Sequence, residues 1–287
     1  MRSVFKYLLM LGVCLCWTPA TAEDPAVKKD KVARINLAIQ QGTLIQSMTQ
    51  AACFAMADVD AKRSGNKALE DIDTYETVLE ALRDGHEWLG LLPEARPEML
   101  TDIATTEEAW QRYRPNVQQI VARDYHTVII NLIYQLNAPA TDSSTWLAQQ
   151  FIDAFGSDVF DPSFNAALLL AGHHRMLSQR ALLELCFVMA GVGGDGMRAR
   201  LDLTLKEFEA AFETLAEGNS DIAPPPNARI SRNYRTAKLF WKKMRPVLEK
   251  AINGDQIAEA DVTKVLKFNK SVLKQLNQAV EGYLVGS

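Results

Sequence analysis

Apolar positions recur at steps of three and four over long stretches of the chain, and alternating β-branched runs are nearly absent. That periodicity belongs to helices and not to strands. It predicts helices at residues 29–61, 67–91, 98–121 and 124–137, and again at 163–191, 197–217, 229–252 and 256–284. The breaks carry turn residues: Ser64-Gly65-Asn66, Leu92-Pro93, Gly193-Gly194-Asp195-Gly196, Pro224-Pro225-Pro226 and Asn253-Gly254-Asp255. Pro115 and Pro246 fall inside the third helix of each set and predict kinks there. Four helices joined by short loops make an up-down bundle. The predicted fold is all-α: two tandem up-down four-helix bundles, at residues 29–140 and 163–287. A linker at 141–162, with a short helix at 144–155, joins them.

The two bundles share sequence. At an offset of 133, residues 37–59 fall on 170–192 with nine identities in 23 positions and no gap. Cys53-Phe54 meets Cys186-Phe187, and Met56-Ala57 meets Met189-Ala190. The same offset pairs Leu82 with Leu215 and Gly85 with Gly218, and a shift of two then pairs Trp110 with Trp241 and Arg114-Pro115 with Arg245-Pro246. Chance matching of apolar residues does not keep these groups in one order, so the reading is internal duplication.

Composition adds a compartment. Arg2 and Lys6 precede an uncharged apolar stretch at 7–17 and then Ala20-Thr21-Ala22, the layout of a secretory signal peptide at residues 1–22 cleaved near Ala22. A retained membrane anchor is the alternative, but a span needs about 20 apolar residues; a lipoprotein through Cys14 or Cys16 is another. The expectation is a periplasmic or secreted protein with no membrane span in the mature chain. A net charge of −4 without a Lys/Arg-dense run argues against nucleic acid as a partner.

One helical face in each unit is unusual. Leu168, Gly172, Arg175, Gln179, Leu182, Cys186 and Met189 form a heptad stripe, matched in the first unit by Ile35, Ile39, Gly42, Gln46, Thr49, Cys53 and Met56. A stripe that is apolar at both ends and polar in the middle fits a seam between two such helices with a pocket at mid-height. The run Leu170-Ala171-Gly172-His173-His174-Arg175-Met176-Leu177-Ser178-Gln179-Arg180 resembles the A-G-x-x-R-M-L-S-Q-R motif of the PilJ-type domain, the N-terminal sensory domain of type IV pilus methyl-accepting chemotaxis transducers. It is also similar to the periplasmic P-box of NarX-type nitrate/nitrite sensor kinases. The first unit keeps Ala38, Leu44 and Gln46 but has Gly42 and Ser47 where the motif has arginines. The resemblance implies a helical bundle of chemotaxis-type signal transduction that senses a small ligand. In the nitrate sensors the motif helices of two subunits pair and the motif arginine binds the anion between them; Arg175 holds that position here.

A guanidinium stays charged and offers a planar fork of donors suited to a trigonal oxyanion. Gly172 lets a ligand or backbone come close, Gln179 and Gln46 offer neutral donors, and Gly42 and His174 flank the expected pocket. The competing reading gives Arg175 a structural role, capping carbonyls or pairing with Glu184 or another carboxylate. Cys53 and Cys186 would be within disulfide range if the two helices pair in parallel register; free thiols in separate cores are the alternative. His173 and His174 point about 100° apart and cannot ligate one metal from one helix, and no nucleophile elbow or phosphate loop is present. The tryptophans Trp88, Trp110, Trp146 and Trp241 read as packing anchors. The expectation is no enzyme, no cofactor and no metal centre: an exported binding or sensory protein for a small anion such as nitrate or nitrite, reporting to a membrane receptor or envelope partner, as a single chain or a homodimer. The alternative is a ligand-free helical adaptor docking on an envelope, chemosensory or type IV pilus-associated complex.

Overall fold

The computed structural model describes residues 24–124 and 127–285; the expected signal peptide and His126 lie outside the described residues. Among the described residues eight α-helices follow one another: α1 (Pro25–Met56), α2 (Ala61–Asp84), α3 (Pro97–Val121), α4 (Thr127–Val159), α5 (Pro162–Met189), α6 (Gly194–Glu217), α7 (Ala228–Asn253) and α8 (Glu259–Val285). Helix α1 packs on α2 and α4, and α3 on α2 and α4; α5 packs on α6 and α8, and α7 on α6 and α8. Two up-down four-helix bundles result, joined along α1 and α5. Local chemistry starts the helices where it is expected to. The Asp24 carboxylate accepts the Ala26 N–H at 2.9 Å ahead of Pro25, and Asn227 accepts from Arg229 N and Ile230 N at the start of α7.

Two expected boundaries move. Ser64-Gly65-Asn66 lies inside α2, because Gly65 faces α3, where a Cβ would stand 3.6 Å from Val121. The chain turns earlier, at residues 57–60, where Asp58 (φ 55°) and Asp60 (φ 48°) take the left-handed region. The matching turn after α5 places Gly191 (φ 71°) and Gly193 (φ 77°) at those positions. Val59 N donates to Phe54 O and Val192 N to Phe187 O, both at 2.9 Å. Aspartate visits this region at modest cost, which hides the first turn from a search for glycine. The segment expected as a linker is helical as well: α4 runs through Pro139 to Val159. Its buried positions Ile133, Asn137, Ala140, Thr141, Ser144, Leu147, Ala148 and Phe151 keep steps of three and four, and packing along that stripe outweighs weak local propensity. Only Phe160 and Asp161 separate α4 from α5.

Each unit has an indole at its centre. Trp110 lies 4.4 Å from the Tyr75 ring, and Trp241 lies 3.8 Å from Phe208, centroid to centroid. Glu76 accepts from Trp110 Nε1 at 2.9 Å and forms an ion pair with Arg114, and Glu209 accepts from Trp241 Nε1 at 3.3 Å and forms an ion pair with Arg245. Truncating a buried tryptophan costs about 3–5 kcal/mol, so these two residues anchor their bundles. Trp88 and Trp146 do not: Trp88 is 92% exposed at the tip of a turn closed by a β-bridge between His86 and Leu91, and Trp146 is exposed too. Their apolar bulk alone suggested burial, and the helix faces that carry them decide otherwise. The turn bearing Trp88 is held from below by Arg34, whose Nε donates to Asp30 at 2.8 Å, Nη1 to Leu82 O at 2.8 Å and Glu94 at 3.1 Å, and Nη2 to Leu92 O.

Candidate functional site

Helices α1 and α5 run parallel and in register. Ile39 Cγ2 would lie 2.0 Å from a Cβ at Gly172, Met176 lies 4.0 Å from the Cβ position of Gly42, and Cys53 and Cys186 form a disulfide with Cα atoms 6.2 Å apart. The absence of a side chain at Gly172 is therefore what lets the two helices approach. Parallel, in-register pairing sets Gly42 and Arg175 at the same height on opposite sides of the seam.

The two positions face different surroundings. A Cβ at Gly42 would stand 3.3 Å from Thr145 Oγ1 on α4, so that side is filled by close helix packing. One turn on, Gln46 Nε2 donates to Asn137 Oδ1 at 2.9 Å and Thr141 Oγ1 at 2.7 Å. Asn137 Nδ2 in turn reaches Tyr113 OH at 3.1 Å and Thr49 Oγ1 at 3.3 Å. Gln46 thus belongs to a polar network inside the first unit and is turned towards α4. Beside it, a cavity of about 10 Å³ bounded by Gln46, Asn137, Arg180 and Glu184 has room for one water.

Arg175 turns into the second unit. It is 4% exposed, and its one hydrogen bond runs from Nη1 to Asn277 Oδ1 on α8 at 3.4 Å. Nε and Nη2 are buried with no partner in the protein. Burial pulls its pKa down to about 10, against which Tyr234 of α7 and Glu281 of α8 work in the other direction, so the group is a cation at neutral pH. Tyr234 is itself buried, and burial followed by the neighbouring Tyr283 pushes its phenol well above the ordinary value. Asn277 is half-buried and Glu281 exposed, which puts the outer edge of this cluster between α5 and α8.

The other expected residues are distributed around the same helix. Gly172 is one turn before Arg175, with Nη2 3.9 Å from its Cβ position. Gln179 is buried one turn beyond and donates to Ser178 Oγ at 2.9 Å. His174 faces away from the seam, its ring centroid 4.1 Å from Phe208 and 4.3 Å from Phe212; burial depresses its pKa to about 3, so it is neutral. Glu184, the suggested partner for Arg175, instead accepts from Arg180 at 3.0 Å and lies 3.8 Å from Arg200. Among the described residues no group of three or more His, Cys, Asp or Glu could hold a metal ion.

Sequence reasoning missed Tyr234, Asn277 and Arg34. Tyr234 left a trace as a polar group on the buried stripe of α7, and Asn277 lies beside the buried stripe of α8, but helix rotation decides which way each points. No curated protein matches the chain. Residues 163–268, from the start of α5 into α8, match the family model described as PilJ, type IV pili methyl-accepting chemotaxis transducer N-term, so the second unit is similar to that domain.

Proposed function

We propose that the protein is an exported sensory or binding module that takes a small anion, of the nitrate or nitrite kind, at motif helix α5, with Arg175 as the recognising charge and Gly172 and Gln179 beside it. The signal peptide would be removed near Ala22, and the two bundles would be copies of one duplicated unit, the first having lost the motif arginine. The observation that carries this reading is the state of the Arg175 guanidinium, buried with one long hydrogen bond and two unpartnered N–H-bearing nitrogens. A buried, unpaired cation costs several kcal/mol, and an oxyanion supplies both the missing acceptors and the countercharge. The likeness to nitrate-sensor P-boxes points to the same ligand class. No helix of the described residues is long and apolar enough to cross a membrane, and occupancy would be read by a receptor or envelope protein that recognises altered helix packing.

Thermal unfolding in sodium nitrate, nitrite, formate and chloride at matched ionic strength tests it. An anion present at about 100 times its Kd adds about 2.7 kcal/mol, which for a chain of this size raises Tm by roughly 5–10 °C. Arg175→Gln should abolish that shift. Equal response to every salt, or a shift retained in the variant, defeats the reading. The fully exposed Trp88 on its braced turn favours the second reading, an adaptor without a ligand, since tryptophan is enriched at interface hot spots.

A further inference from the structure

We infer that the anion is received within a single chain, in the interior of the second unit between α5, α7 and α8, by Arg175 together with Tyr234 and Asn277, and not between the motif helices of two chains. This rests on the proposed anion binding and specifies where it occurs.

The face through which α5 would pair with another motif helix is already covered by α1. Ile39 sits against Gly172, Met176 against Gly42, and the Cys53–Cys186 disulfide fixes the pair. A second chain could bring its own Arg175 alongside only by displacing α1, which the disulfide opposes. At the height of Arg175, α1 contributes Gly42, which has no side chain to offer, and behind it Thr145 closes the space. The unsatisfied cationic donors lie on α5 and face the second unit. Arg175 Nε and Nη2 are buried without hydrogen-bond partners, the buried Tyr234 hydroxyl has only the neighbouring Tyr283 hydroxyl beside it, and Asn277 is held at 3.4 Å. Arginine, tyrosine and the asparagine amide together can present donors from three helices, a set that calls for a ligand rich in acceptor oxygens. One guanidinium, with the Glu281 carboxylate at the outer margin, balances one negative charge and disfavours two. The ligand class is a small monovalent oxyanion, with nitrite, nitrate and formate as its simplest members. Because the guanidinium is only 4% exposed, entry requires α8 to move away from α5 at Asn277 and Glu281, and that movement is the change a partner would read.

Calorimetric titration of the mature, disulfide-bonded chain with sodium nitrate, nitrite and formate, alongside native mass spectrometry, tests the location. The expected result is one site per chain with the mass unchanged on saturation. Asn277→Asp places a carboxylate beside Arg175 as an internal competitor and should weaken binding at least tenfold while leaving the melting temperature of the free protein unchanged or higher. Tyr234→Phe should weaken binding severalfold, and Glu281→Gln should tighten it. One anion per two chains with a doubled mass overturns the inference, as does unaltered affinity in both Asn277→Asp and Tyr234→Phe; in either case anion binding through Arg175 survives. If the wild-type chain binds none of the three salts, the proposed function falls and this inference with it.

Discussion

Among the described residues two arginines lie buried, one in each bundle, in opposite circumstances. Arg34, 2% exposed in the first unit, donates to Asp30, Glu94 and the carbonyls of Leu82 and Leu92. Every nitrogen of its fork has an acceptor, and two carboxylates neutralise it. Arg175 has a single long bond to a neutral amide. Burial alone therefore says nothing about function; what separates a structural guanidinium from a candidate receptor is how many of its donors the protein itself satisfies. Near mid-height of the first unit Gln46, Asn137, Thr141, Thr49 and Tyr113 bond one another, while Gln46 Oε1, both amide atoms of Gln41 and Thr43 Oγ1 are buried without a partner; the contrast between the units lies in the charged group. In the second unit Arg175 Nε and Nη2 and the Asn269 carbonyl are buried with no hydrogen-bond partner, and the Tyr234 and Tyr283 hydroxyls have only each other.

The sharpest way to break this contrast is to remove each arginine in turn. Arg34→Ala takes the cation from a buried cluster, leaving Glu94 only Arg96 as countercharge and Asp30 only the Leu92 N–H, and should destabilise the chain by about 3 kcal/mol in denaturant unfolding. Arg175→Met removes an uncompensated charge and should cost less than about 1 kcal/mol or stabilise. Similar losses from both would show that Arg175 is structural after all.

A second contrast concerns pH. His174 is neutral in the folded chain, with a pKa near 3, whereas the unfolded chain protonates it near 6.5. Below pH 6.5 only the unfolded state takes up this proton, so the group's effect is to lower stability as pH falls towards 3, by about 2 kcal/mol at pH 5. The difference in unfolding free energy between wild type and His174→Phe, followed from pH 7 to 5, should change by that amount. A constant difference would mean that the imidazole is accessible to water.

The smallest effect separates the two seam glycines. Gly172→Ala drives a methyl into Ile39 and should cost about 1–3 kcal/mol. Gly42→Ala meets Thr145 at 3.3 Å, and the gain of up to about 1 kcal/mol in helix propensity should leave it near neutral. Thermal melts of the two variants compare them directly.

The helices and their grouping were legible because burial imposes a period of 3.6 that survives any rearrangement of the surface. Punctuation misled at Pro139 and Gly65, where tertiary packing carries the helix through residues that would end it in isolation. Parallel register was implicit in Cys53 and Cys186, which occupy equal places on matching stripes. The partners of Arg175 were not legible. Tyr234 and Asn277 lie 59 and 102 residues away in sequence, and only the rotation of α7 and α8 about their own axes turns those side chains to it. The Arg34 cluster was hidden for a related reason: half of its acceptors are backbone carbonyls, which sequence does not distinguish.

The covalent connections between the halves sit at opposite ends of the long axis. At the base, two residues join α4 to α5; near the top, sulfur joins α1 to α5. A body stapled at both edges cannot open like a book, so the bundles are denied the hinged separation that a lone peptide connection would allow. Whatever message this molecule passes on has to travel as sliding or turning of helices inside one half, and reduction of that bridge would add a mode of motion that the oxidised protein lacks.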